Sequence, residues 1–178
     1  MVHASTGARS SHGVPEPSRP ERASPDDLDR VYGAVIRHLR LADQHREELL
    51  KRGLDPAAIE AGSYRSLPRQ GRAEIARELL GRFSEELLLS VPGIQVRQGQ
   101  RGRYLSFGGP AGLVVPVRDL TGRVVALKVR CDAHSDGPKY LYISSTACGG
   151  PGPGAPVHVP CDTRSHGTSG LTDWRIGM

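Results

Sequence analysis

The rhythm of apolar and polar positions changes about halfway along the chain. Leu28, Val31, Tyr32, Val35, Ile36 and Leu39 recur at helical spacing and form one apolar stripe. The residues ahead of them agree with a helix start. Ser24 can cap, Pro25 holds the first helical position, and Asp26 and Asp27 favour the positive helix end. Asp43 is expected to cap a second helix through Leu49 and Leu50, closed by Gly53. Asp55-Pro56 predicts a short third helix around Ile59, ended by Gly62. After Leu67-Pro68 a fourth helix is expected over 72–83, burying Ile75, Leu79, Leu80 and Phe83, with a further turn over 84–90. The charged residues of this half read mostly as its solvated face.

From Pro92 onward the pattern is one of short strands. Residues 94–96 and 103–107 are expected as strands between Gly-rich turns. The Val-rich runs 113–118 and 123–131 are better strands, joined across Asp119-Leu120-Thr121-Gly122. Asp at the turn's start and Gly where positive φ is needed make that connection a hairpin. A third strand over 139–144 follows a loop at 132–138. Residues 146–156 are Gly/Pro-rich without regular structure, and 157–159 read as a last edge strand.

The expectation is an α+β fold, with a helical layer over 24–90 followed by a small antiparallel sheet over 91–160. Residues 1–23 carry almost no large apolar side chain, too little to offset their ordering entropy, so they are expected to be disordered. The tail 161–178 has no periodicity and reads as unrelated to what precedes it. A truncated or frameshifted end and a flexible natural tail both fit.

Composition narrows the class. The 178 residues are 37% apolar and 24% charged, with 22 Gly and 14 Pro, as in a globular chain with a large loop share. No apolar run approaches the roughly 18 residues of a membrane span, and the N-terminus lacks the apolar stretch of a secretory signal. Cys131, Cys148 and Cys161 lack framework spacing and fit reduced thiols in the cytoplasm.

The net charge of +5 is unevenly placed. Through Glu86, 14 basic residues balance 14 acidic ones; from Leu87 on, 10 basic residues face 5 acidic ones, and no glutamate occurs. That asymmetry points to a polyanion partner. An excess of 21 Arg over 3 Lys is also what a GC-rich genome alone produces.

Strand alternation puts Lys128 and Arg130 on one face of the 123–131 strand, with Val125, Leu127 and Val129 on the other. Cations on an otherwise apolar strand are costly to bury unpaired, so these face water or an anion. Between Gly93 and Tyr140 they are joined by Arg97, Arg101, Arg103, Arg118, Arg123 and Lys139, opposed only by Asp119, Asp132 and Asp136. With Tyr104, Tyr140 and Tyr142 nearby, such a face suits phosphates and base stacking. An ordinary solvated sheet face fits the same spacing.

Other candidates are weaker. Gly108-Gly109-Pro110-Ala111-Gly112 lacks the lysine and following helix of a phosphate loop. Ser144 and Ser145 have no evident base, and Ser165-His166 lies in the tail, which argues against a hydrolase triad. The cysteines, with His158 or His166, show no paired metal-ligand spacing.

The run Pro116-Val117-Arg118-Asp119-Leu120-Thr121-Gly122-Arg123-Val124-Val125-Ala126-Leu127-Lys128-Val129-Arg130, followed by Gly137-Pro138-Lys139-Tyr140-Leu141, resembles the amino-terminal part of the bacterial DnaG-type primase catalytic core. That family reads Pro-Ile-Arg-Asp, two variable residues, Gly-Arg-hydrophobic, an arginine closing the strand, then Pro-Lys-Tyr. Arg52-Gly53-Leu54 with Ile59 resembles its helical lead-in, and the variant looks closest to primase-like proteins of phages and mobile elements. The resemblance covers roughly 52–159, and its specific part is about 116–141. It implies contact with single-stranded template DNA or incoming nucleotide, in DNA replication. By position Arg130 and Lys139 are the best matches; Arg118 and Arg123 would support the hairpin, and Lys128 follows from the strand face alone.

Two departures stand out: Gly112 occupies a position where the family often has arginine, and Tyr142-Ile143-Ser144 replaces its Asn-Ser. A larger one concerns catalysis. The family's TOPRIM domain holds magnesium through a glutamate and an Asp-x-Asp pair. Here the one Asp-x-Asp, Asp27-Leu28-Asp29, lies in a helix's first turn. The expectation is therefore a primase-like DNA-binding fragment that holds no cofactor itself and is inactive alone. The alternatives are a non-catalytic module docking a separate TOPRIM or helicase partner, or an inactive truncation product.

Overall fold

The computed structural model describes residues 21–132 and 137–159, and expectations that fall on 1–20, 133–136 and 160–178 lie outside them. Helix α1 (Pro25–His38) forms where its punctuation placed it. Ser24 Oγ accepts the Asp27 N–H at 3.2 Å, and Arg37 and His38 sit at the negative end. The short helices α2 (Asp43–Lys51) and α3 (Pro56–Ala61) follow. Then come the strand β1 (Arg65–Leu67) and the helices α4 (Arg72–Leu80) and α5 (Glu85–Leu89). The remaining strands are β2 (Ile94–Gly99), β3 (Gly102–Phe107), β4 (Gly112–Arg118), β5 (Val124–Cys131) and β6 (Tyr140–Tyr142). The architecture is α+β, as expected.

The strands form two antiparallel sheets where one was expected. The larger has the order β1-β4-β5-β6, and β2 pairs with β3 alone. β4 and β5 are central and rich in Val, as suits strands covered on both faces. Leu28, Val31, Tyr32 and Val35 of α1 are buried in the main core with Val114, Leu127 and Val129, alongside Ile75 and Leu79 of α4 and Leu105 and Phe107 of β3. A second, small cluster joins Leu49 of α2 and Ile59 of α3 to Leu113 of β4. The larger sheet thus lies between α1 on one face and α2–α3 on the other.

Buried polar links close the main core. Tyr32 Oη donates to the Pro92 carbonyl at 2.9 Å. Ser145, almost fully buried, accepts the Gly93 N–H at 2.7 Å and donates to the Ile94 carbonyl at 2.9 Å, which pins the start of β2 to the segment after β6. Each group buried here has a partner, as such burial requires.

Several expectations are corrected. Asp43 does not cap α2; Ala42 does, with no side-chain hydrogen bond, while the Ala42 N–H donates to Ser66 Oγ at 2.8 Å. α4 stops at Leu80, which is left exposed, because the chain turns at Gly81-Arg82. β1 was not anticipated, and residues 146–148, expected without regular structure, make a 3-10 turn. Residues 157–159 form no strand and keep one ladder-like bond, from the Val159 N–H to the Arg118 carbonyl at 2.9 Å. Residues 21–23, expected with the disordered tail, include two docked residues. Ala23 N–H bonds the Ser90 carbonyl at 2.9 Å and Arg22 Nη2 the Val125 carbonyl at 2.6 Å.

Val125 also leaves the face assigned to it. Val117 pairs with Ala126 and Arg118 with Val124, so Val125 is an extra residue in the ladder. Across that bulge the alternation resets. Val124, Leu127 and Val129 enter the main core, and Val125 does not.

Gly112 shows why one departure from the motif is tolerated. Its φ is +151°, and a Cβ built there would lie 2.0 Å from the Arg130 carbonyl oxygen. That sets a Cβ, fixed by the backbone, against a backbone carbonyl, which no rotamer relieves. Gly112→Ala should therefore lower stability by roughly 2–3 kcal/mol, read as a drop in the chemical-denaturation midpoint, and an unchanged midpoint would contradict the close approach.

Candidate nucleic-acid interface

Register decides which side chains share a face. On β4, β5 and β6, Val115, Lys128 and Tyr142 lie opposite one another, and so do Leu113, Arg130 and Tyr140. Directly opposed residues project to the same side of a sheet. Lys128, Arg130, Tyr140 and Tyr142 therefore share one face, the side on which α2 and α3 pack against Leu113. Tyr104, expected with them, lies on β3 of the other sheet, in a cleft lined by Arg77, Leu80, Glu85 and Arg103.

Lys128 reaches between the two tyrosines of β6. Its Nζ lies 5.4 Å from the Tyr140 ring centre and 5.1 Å from that of Tyr142. Two cation–π contacts of about 0.5–1 kcal/mol each hold the ammonium at the surface without neutralising its charge. Lys139, which precedes β6, is exposed, and its carbonyl accepts the Cys131 N–H at 3.0 Å. Among the described residues neither lysine has a carboxylate partner.

Arg130 is different. Its side chain is only 17% exposed and pairs through Nη1 with Oε2 of Glu48 on α2. Glu48 Oε1 also accepts from Arg52 Nη2 at 3.1 Å, so one carboxylate bridges two guanidiniums. The hydrogen bond from Arg130 holds the Glu48 carboxyl below its ordinary range, against the burial that would raise it. The anion that sequence reasoning left unspecified for Arg130 is supplied from within the chain. No local signal announces it, since Glu48 sits 82 residues earlier in a helix whose charges read as solvated.

A second unanticipated cluster fixes α2. His45, nearly buried, has Nδ1 2.7 Å from Ser66 Oγ on β1 and Nε2 2.8 Å from Asp132 Oδ1 at the end of β5. Glu48 lies three residues further along the same helix and so faces the same way. The His45 links hold α2 where Glu48 reaches Arg130.

Arg118 and Arg123 belong to the far end of the hairpin. Arg123 and Arg130 are seven positions apart, about 23 Å at the usual strand rise. Arg118 donates to the Gly122 carbonyl at 3.1 Å and to Ser63 Oγ at 3.2 Å. Arg123 Nε donates to Asp119 Oδ2 at 2.8 Å and Nη1 to Asp26 Oδ1 at 2.9 Å. Asp29, the other end of the Asp-x-Asp, accepts the Val124 N–H at 2.7 Å and ties α1 to the hairpin. Burial opposes ionisation of Asp119, but hydrogen bonds from Thr121 and Arg123 outweigh it and hold its carboxyl down at about 2. These two arginines are engaged in building the turn.

The described residues do not fit a magnesium site. No three His, Cys, Asp or Glu side chains among them gather as a metal would require, and no chemical step is assigned to one.

No protein-family model and no curated protein sequence matches the chain. Solved structures do. The RNA polymerase domain of Mycobacterium tuberculosis primase DnaG, in complex with a double-stranded DNA oligomer with a 6-nucleotide overhang, is similar at a TM-score of 0.52 and 23% identity. That match covers 68% of this chain and 39% of the other. The same domain in complex with double-stranded DNA matches at 0.51 and 25% identity, over 67% and 39% of the two chains. The zinc-binding and RNA polymerase domains of the Aquifex aeolicus primase match at 0.51 and 19%, over 68% and 30%. The chain spans about two fifths or less of the length of these structures. Its fold is one found within the DnaG primase RNA polymerase domain, as the run at 116–141 implied.

The turn gives a pH-dependent expectation. A carboxyl with its folded pKa depressed stabilises the fold fully above the unfolded pKa, near 3.8, and ceases to do so as pH falls through about 2. Asp119→Asn should therefore be less stable than the parent chain at pH 7, with the gap closing between pH 4 and pH 2. Denaturation midpoints across that range test this, and a gap that stays constant would contradict it.

Proposed function

We propose that this chain is a primase-like nucleic-acid-binding unit that contacts single-stranded template DNA in replication in the cytoplasm, through the face bearing Lys128, Arg130, Tyr140 and Tyr142, with Lys139 at the edge where β6 begins. One observation carries the reading: Lys128, without a carboxylate partner among the described residues, stands between two tyrosine rings, and Lys139, also without one, is exposed just before them in the chain. Ammonium groups draw phosphates, and tyrosine rings accept bases of any sequence by stacking. The M. tuberculosis neighbours contain DNA, which supports nucleic acid as the ligand class. Arg118 and Arg123 act indirectly, by holding the hairpin that presents β5. On this reading magnesium and nucleotidyl transfer belong to a TOPRIM domain outside the described residues.

A second reading has its own observation. Leu120 at the hairpin tip is 84% exposed and Val157 79%. Both line a groove with Val125 and Pro156, and exposed apolar residues so placed suit a protein surface. A TOPRIM domain or a replicative helicase docking there is compatible with DNA on the β6 face. Capture of such a partner that is indifferent to added DNA would favour docking as the primary role.

The DNA reading is tested by fluorescence polarisation with a labelled oligothymidylate. Binding should weaken linearly in log–log form as salt rises. Lys128→Ala and Lys139→Ala should each weaken it about three- to tenfold, the scale of one lost phosphate contact. Tyr140→Ala should weaken it by a similar factor, through lost stacking. Absence of binding at low salt would sink the proposal.

A further inference from the structure

The strongest unassigned feature is the carboxylate on Arg130. Glu48 occupies the one cation of the proposed face that comes from the motif's closing arginine, and it does so from a different element. A guanidinium offers five N–H donors in a planar fork. Here Nη1 serves Glu48, while Nε is buried with no hydrogen-bond partner. The carboxylate therefore leaves Arg130 incompletely satisfied. A phosphate, with more oxygens and more charge, would take the Nη–H groups that open when Glu48 moves away, in the bidentate manner that arginine favours.

Displacement would not strand the carboxylate. Glu48 Oε1 already accepts from Arg52 Nη2 at 3.1 Å, and that side of the pair is more exposed, at 46% for Arg52 and 30% for Glu48. Glu48 can release Arg130 and keep a cationic partner at the same helical turn. Leaving a buried charge unpaired is what normally makes such an exchange prohibitive. Arg52 removes that obstacle.

We propose that Glu48 is an internal stand-in for a nucleic-acid phosphate on Arg130, and that it sets the affinity of the face by competing with the ligand. The proposal rests on the reading of this face as a DNA interface. Its prediction is nevertheless separate, because it concerns a residue of negative charge whose loss should strengthen binding.

The test uses the full chain, labelled oligothymidylate and a salt series, with four variants checked for folding by circular dichroism. Glu48→Gln should bind about three- to tenfold more tightly at low salt, and its salt slope should steepen by about 0.7, one further phosphate on a single strand. Adding Arg130→Gln to Glu48→Gln should cancel that gain. Glu48→Asp keeps the charge but shortens the reach to Arg130, so it too should bind more tightly. It also carries the test should Glu48→Gln fail to fold. Glu47→Gln makes the same change in net charge at a more exposed neighbour, 67% accessible, and should give the smaller effect. Unchanged or weaker binding by Glu48→Gln and Glu48→Asp overturns the proposal. An equal gain from Glu47→Gln also overturns it, by assigning the effect to net charge. If Lys128→Ala and Lys139→Ala still weaken binding in either case, the DNA interface stands and only the role of Glu48 falls. No binding by any variant removes both.

Discussion

Two cations on a central strand must each find water or an anion, and much of this structure follows from how β5 meets that demand. Its Leu127 and Val129 face the core beneath α1, which fixes Lys128 and Arg130 to the opposite side. The two are answered differently. Lys128 lies next to the edge strand β6 and escapes to the surface between two tyrosine rings. Arg130 lies under α2 and is met by Glu48. One strand thus presents one available charge and one occupied charge, two residues apart.

The ends of the β4–β5 hairpin divide the work. At the turn, charges close on themselves: Arg123 with Asp119 and Asp26, Arg118 with a carbonyl and a serine. Those bonds hold the bulged end of the hairpin against the start of α1, where Asp29 receives the Val124 N–H. At the other end, beside β6, lysines and tyrosines are left facing outward. The internally hydrogen-bonded turn thus lies at the opposite end of the hairpin from two lysines that have no carboxylate partner among the described residues.

Legibility in the sequence followed the range of the interactions. Helix α1 could be read because Ser24, Pro25, Asp26 and Asp27 act within one turn. The 119–122 turn could be read because Asp119 bonds its own loop, to the Thr121 and Arg123 N–H groups. The face of Val125 was misread because a bulge is a property of two strands in register, and alternation along one of them does not contain it. β1 escaped notice because three residues before a proline carry no period, and its existence depends on pairing with β4. Glu48 and the His45–Ser66–Asp132 links were invisible for the same reason at longer range. The motif at 116–141 singled out the cations along the chain, but whether each was available or occupied was a tertiary fact.

In the proposed role, nucleic acid meets the chain at the β6 end of the larger sheet. Titration of an oligothymidylate into the 15N-labelled chain, followed by amide chemical shifts, tests it most directly. Shifts should centre on Lys128 to Cys131 and Lys139 to Tyr142 and extend into α2 around Glu48 as its carboxylate is displaced, with Asp119 to Arg123 little changed. Shifts confined to the β2–β3 hairpin or to the 119–123 turn, with β6 unmoved, would contradict it.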